Sequence, residues 1–130
     1  MKLLLFFFLV LLTCCACDPA RRINMKNIGS DTAEITWNAS EDSIGFNPFV
    51  LNNSKELKYV LPPGKNSFIS MTFGVGSWSP DYVDMFMKYL ESVEIKSKQQ
   101  NIKLDSAKAI KEYFLSHRKK RGTVVEITMQ

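Results

Sequence analysis

Arg22-Ile23-Asn24-Met25-Lys26-Asn27-Ile28-Gly29-Ser30-Asp31-Thr32-Ala33-Glu34-Ile35-Thr36-Trp37 is the stretch that decides the fold class. Ile23 and Met25 share one face of the first run, and Ala33, Ile35 and Trp37 share one face of the second, with mostly polar residues between them. A period of two is the mark of a strand with one side against a core. Gly29-Ser30-Asp31 is a turn cluster, so residues 22–37 read as a β-hairpin.

The same signal recurs downstream. Residues 57–61 read as a short strand stopped by Pro62-Pro63-Gly64, and residues 67–75 set Ile69, Met71, Phe73 and Val75 on one side. Val93 and Ile95 alternate, as do Ile102 and Leu104 beyond the Lys98-Gln99-Gln100-Asn101 turn, and residues 123–129 align Val125, Ile127 and Met129. Two segments carry the helical period instead. Ser79 caps the first, with Pro80 at its first position and Tyr82, Val83, Phe86, Met87 and Leu90 along one stripe. Asp105 caps the second, whose line is Ala107, Ile110, Phe114 and Leu115, and Gly122 ends that region. Residues 40–54 are polar and irregular, with Gly45 and Pro48, and read as a long connection or an edge strand.

Short strands with turn signals about every ten residues predict a mainly β fold. The architecture expected is an immunoglobulin-like β-sandwich of about seven short strands with one or two helical insertions. The competing architecture is α+β, a helix laid on an antiparallel sheet.

The chain has 130 residues, room for one domain, and its 45% hydrophobic and 23% charged composition is that of a folded protein. All three cysteines fall at 14, 15 and 17, which excludes a disulfide framework or a cysteine-zinc module in the body. One histidine, His117, excludes multi-histidine metal sites. Neither a metal nor a cofactor is expected.

The N-terminus reads as an address. Lys2 precedes an apolar run from Leu3 to Leu12, followed by small residues and then polar Asp18-Pro19-Ala20-Arg21-Arg22. This is the layout of a secretory signal peptide. Ten helical residues reach about 15 Å, half of a ~30 Å bilayer core, so a spanning helix is not expected. Cysteines at the cleavage zone resemble the lipobox of bacterial lipoproteins, in which a thiol is acylated and becomes the mature N-terminus. Three registers compete. Cys17 follows the small Ala16 but lacks the leucine, Cys15 follows Leu12-Thr13-Cys14, and Cys14 follows Leu11-Leu12-Thr13. The reading favours Cys17, with Cys15 and Cys14 as alternatives and plain secretion as the rival. The division is then residues 1–16 as signal peptide, 17–21 as a short tether and 22–130 as one domain. Losing Lys2 leaves sixteen basic and thirteen acidic side chains, a mild excess that does not argue for nucleic acid.

The opening run 22–37 also resembles the start of many immunoglobulin-like and transthyretin-like domains of bacterial surface lipoproteins. That resemblance implies the cell envelope, with the outer membrane favoured; the periplasmic face of the inner membrane, which Asp18 after Cys17 resembles a signal for, and secretion are the alternatives.

Signals for chemistry are sparse. Gly74-Val75-Gly76-Ser77-Trp78-Ser79 has neither the third glycine of a dinucleotide fingerprint nor the Gly-x-Ser-x-Gly of a nucleophile elbow. The glycines read as a strand exit, with Trp78 plugging the end of the sandwich or, as a loop tryptophan, serving as the one candidate ligand contact. Trp37 shares a face with Ala33 and Ile35 and points inward; Tyr59, Tyr82 and Tyr89 complete the aromatics that a sugar platform would draw on. His117 stands at a helix end without an orienting carboxylate, Asp81 and Asp84 suit a helix start, and Glu41-Asp42 supply too few oxygens for Ca²⁺. Asn47-Pro48-Phe49 reads as a turn. Arg118-Lys119-Lys120-Arg121 is a solvated helix end or a contact with an anionic surface.

The function expected is a non-enzymatic, lipid-anchored envelope protein, a binding or assembly module whose partners are the membrane, through its lipid, and an envelope protein or glycan. Residues 40–54 and 74–79 are the loops expected to bind. An accessory glycan-binding module is the alternative, and a small hydrolase using Ser77 and His117 is the last.

Overall fold

The computed structural model describes residues 18–41, 46–64 and 66–130. Its elements are β1 (Ala20–Asn27), β2 (Ala33–Ala39), β3 (Glu56–Leu61), β4 (Phe68–Val75), α1 (Pro80–Phe86), β5 (Leu90–Lys96), β6 (Asn101–Leu104), α2 (Ala107–Ser116), β7 (Arg118–Lys119) and β8 (Val124–Met129). Two four-stranded sheets result, ordered β4-β1-β8-β7 and β3-β2-β5-β6. The fold is mainly β, a sandwich with two helical insertions, as the alternation predicts. β1 and β8 run parallel, and every other pair is antiparallel.

The expected hairpin at residues 22–37 is not formed. β1 and β2 are both strands, but they lie in different sheets, and residues 28–32 cross between the layers. Asn27 holds the crossover in place. Its buried side chain donates to Asp31 O (2.8 Å), Leu61 O (3.0 Å) and Pro62 O (3.1 Å), and its Oδ1 accepts from Gly29 N (3.0 Å). One amide thus closes the crossover and ties β1 of one sheet to the end of β3 in the other.

The core sits between the sheets. Ile23 pairs with Met71 and Val125, and Met25 with Ile69 and Ile127, giving continuous apolar rows. Facing them, Trp37 pairs with Leu57 and Val93, and Ile35 with Tyr59 and Ile95. α2 links the β6 edge of one sheet to the β7 edge of the other and buries Ile110 and Phe114. Its cap is Ser106, whose side chain accepts from Ala109 N at 3.2 Å, rather than the expected Asp105. α1 is capped by Ser79 as expected, but it ends at Phe86; a 3₁₀ turn, Met87–Tyr89, follows, and Leu90 already belongs to β5.

β1 begins at Ala20, so part of the expected tether is sheet. Val75 does not join Ile69, Met71 and Phe73: the register of β4 against β1 shifts between Ala20 and Arg22, Gly74 adopts φ +67°, and Val75 turns outward, 61% exposed. Among the described residues no helix is long and apolar enough to cross a membrane.

Candidate functional site

The two ends of the sandwich can be told apart by their contacts. Asn27, Asp31, Leu61 and Pro62 meet at one end, joined by the hydrogen bond from Ile28 N to Met129 O at 2.9 Å. At the other end β1 and β8 begin, and β2 and β4 finish. Residues 19, 40–41, 46–54, 74–79 and 117–123 collect there: Gly76 N donates to Pro19 O (2.9 Å), Trp78 N to Gly122 O (2.7 Å) and Ser40 N to Tyr89 O (3.0 Å). Both loops expected to bind, and the basic run, therefore share the end from which the chain leads back toward Cys17. Cys14, Cys15 and Cys17 themselves lie outside the described residues.

Arg21 organises this end. The strand period puts it on the core face with Ile23, Met25 and Asn27, and it is 8% exposed. Its Nε donates to Ser77 O at 3.0 Å and its Nη1 to Phe73 O at 2.9 Å. The guanidinium carbon lies 3.4 Å from the Tyr82 ring centre and 5.7 Å from that of Trp78. No carboxylate pairs with it among the described residues; two carbonyls and two π faces stabilise the cation instead. A Cβ on Gly76, at φ +102°, would stand 3.0 Å from Arg21 Nη2. The glycine loop is thus shaped around an arginine.

Trp78 is fully buried, and its indole N–H donates to Arg22 O at 3.0 Å. The expectation of a loop tryptophan open to a ligand is corrected: the ring is packed by Phe73, Phe86 and Phe114 at centroid distances of 4.9–5.7 Å and presents no surface. Trp37 is buried as expected, stacked on Phe49 at 5.1 Å. Phe49 comes from the turn at Asn47-Pro48-Phe49. There Asn47 Oδ1 accepts from Phe49 N (2.9 Å), and the Asn47 amide donates to Tyr89 O (2.9 Å). Among the described residues of 40–54 there is no strand, only the isolated bridge of Leu51 to Ser54.

The basic run is not a helix end. α2 stops at Ser116 with His117 as its cap, and Arg118 and Lys119 form β7 against Val125 and Val124. Arg118 is committed locally: Nε donates to Leu115 O (3.1 Å) and Nη1 to Trp78 O (3.1 Å). Lys120 (φ 49°) and Arg121 (φ 58°) both take left-handed backbone, which costs a non-glycine residue about 1 kcal/mol or more. Arg22 and Lys119 flank Val124 in register on the outer face of the first sheet. Arg22, Lys119, Lys120 and Arg121 are exposed, and none pairs with a carboxylate among the described residues. A concavity of about 450 Å³ opens along residues 118–122.

His117, Asp84 and Glu41 each have a local partner. His117 Nδ1 faces Tyr113 O at 2.8 Å and Ser116 Oγ at 3.0 Å, with its ring stacked on Tyr113 at 3.9 Å. Asp84 pairs with Lys111 at 2.6 Å. Glu41 pairs with Lys55, whose hydrogen bond and charge hold the carboxyl below its usual range, while Asp42 lies outside the described residues. Among the described residues no three of His, Cys, Asp and Glu gather as metal ligands would. No family model matches the chain, and neither a curated protein nor a solved structure matches it.

Proposed function

We propose that this chain is a lipid-anchored, non-enzymatic protein of the bacterial cell envelope, held by an acylated cysteine at its mature N-terminus and serving as a binding or assembly module. The observation that carries the reading is the sequence from Met1 to Cys17: a basic start, ten apolar residues and cysteines at the cleavage zone, followed directly by a folded domain that begins at Ala20. With Cys17 as the acceptor, only Asp18 and Pro19 separate the lipid from the sheet. Two or more acyl chains hold a protein on a bilayer stably, whereas one binds marginally.

The domain supports a passive role. Its histidine, its glycine loop and its buried arginine are each engaged in holding the fold. Expression in a bacterial host tests the reading. The native chain should fractionate with envelope membranes, and replacing Cys14, Cys15 and Cys17 together by Ser should abolish that association. Native protein that stays in the cytosol overturns it.

A further inference from the structure

We infer that the tethered end of the sandwich is itself a membrane-contacting surface, selective for anionic bilayers; the inference rests on the anchored reading and adds to it which face meets the lipid. Three observations converge. The chain's lead-in at Asp18 and Pro19 lies at this end, through the Gly76–Pro19 hydrogen bond. Four exposed cations, Arg22, Lys119, Lys120 and Arg121, which have no carboxylate partner among the described residues, are brought there from two separate parts of the sequence. The same end exposes large apolar side chains: Phe46 is 84% exposed and Leu51 57%.

Cations and apolar protrusions at one end of the sandwich suit a leaflet rather than a soluble polyanion. Lys and Arg meet phosphate headgroups, and Phe and Leu enter the boundary with the acyl chains. A tether of two residues, about 7 Å when extended, holds the start of β1 within a Debye length of the headgroups. Among the described residues the carboxylates at this end do not pair with the patch: Glu41 is taken up by Lys55 and Asp84 by Lys111, and none of Asp18, Glu56, Asp81, Glu91 and Asp105 forms an ion pair with the four cations. The described parts of the two loops expected to bind a partner, residues 40–41, 46–54 and 74–79, therefore face the bilayer, and the opposite end, with residues 28–32, 62–64, 66–67 and 97–100, faces away.

The test uses the mature protein as isolated, mixed with vesicles of neutral phosphatidylcholine or with about 30% anionic phosphatidylglycerol added. Flotation with neutral vesicles reports the acyl anchor. Slower hydrogen exchange at residues 46–51 and 118–123 on anionic than on neutral vesicles reports the surface. The expected result is slowing on anionic vesicles only, reversed by salt and by Lys119→Glu/Lys120→Glu/Arg121→Glu, and weakened by Phe46→Ser/Leu51→Ser on the other side of the face. Each cation removed should weaken anionic-vesicle binding about fivefold. Equal exchange on both vesicle types overturns the inference while leaving the anchor intact. Binding to anionic vesicles without flotation on neutral ones overturns the anchor and leaves the surface. Equal slowing by inorganic phosphate without vesicles assigns the cations to a free anion and overturns the membrane reading.

Discussion

Arg21 and Arg118 donate to neighbouring carbonyl oxygens of one loop, Arg21 Nε to Ser77 O at 3.0 Å and Arg118 Nη1 to Trp78 O at 3.1 Å. One arginine comes from the first strand and the other from the edge of the same sheet, so the loop that seats Trp78 is held from both sides by cations. Among the described residues no carboxylate pairs with either arginine. The carbonyls and the Tyr82 and Trp78 rings take that place.

Arg21→Ala should destabilise the domain by about 2–4 kcal/mol, the gain from two charge-assisted hydrogen bonds and a stacked cation less the cost of burying the guanidinium. Arg21→Lys should recover little of it, because an ammonium cannot bridge Phe73 O and Ser77 O while lying flat on Tyr82. Urea midpoints of the three proteins check this. A loss below about 0.5 kcal/mol for Arg21→Ala would mean that the buried guanidinium is incidental.

Gly76 and Gly64 offer a controlled comparison. Both have positive φ, +102° and +117°, but only Gly76 faces an obstacle, Arg21 Nη2 at 3.0 Å from the position of a Cβ. Gly64→Ala should cost the backbone strain alone, about 1–2 kcal/mol, and Gly76→Ala measurably more. In the Arg21→Ala background the excess should vanish, which a double-mutant cycle reads directly.

The two tryptophans should respond differently to loss of the indole N–H. Trp78 donates to Arg22 O, whereas Trp37 Nε1 is buried with no hydrogen-bond partner among the described residues. Trp37→Phe removes an unsatisfied donor, and Trp78→Phe strands an acceptor. Trp78→Phe should therefore be the more destabilising by about 1–2 kcal/mol in thermal or chemical denaturation. The reverse order would place an unseen partner on Trp37.

Burial pushes the Tyr113 hydroxyl above the usual tyrosine pKa. The unfolded chain then loses this proton first, so the stability linked to it is intact below pH about 10 and falls as pH rises through the folded value. Tyr113→Phe should flatten the alkaline limb of the stability profile above about pH 10. An unchanged limb would assign it to other groups, such as Lys96, whose pKa the hydrogen bond and charge of Glu94 raise.

Much of the sandwich is legible in the period of its strands, because Ile23, Met25, Ile35, Trp37, Val93, Ile95, Val125 and Ile127 each occupy the inner face that alternation assigns them. Pairing is another matter. A strand's period says which face is buried but not which neighbour it takes, so a turn between layers at residues 28–32 reads the same as a hairpin turn. The crossover is specified by Asn27, whose amide works through Leu61 and Pro62 far along the chain. Arg21 was hidden for a different reason. A cation at a strand start reads as surface, although the phase of Ile23, Met25 and Asn27, extended back by two residues, sets it inside. At residues 74–76 the alternation fails because a positive-φ glycine reverses the sides, which is why Val75 points outward and Trp78 inward.

The most direct test of the anchor is the intact mass of the mature protein from bacterial membranes, measured for the native chain and for Cys14→Ser, Cys15→Ser and Cys17→Ser singly. The account predicts a chain that has lost its apolar leader, begins at a cysteine and is heavier than its sequence by fatty chains. One substitution alone, Cys17→Ser first among the three, should abolish the gain. A molecule that keeps Met1, or one that starts within residues 14–18 with no added mass, contradicts it.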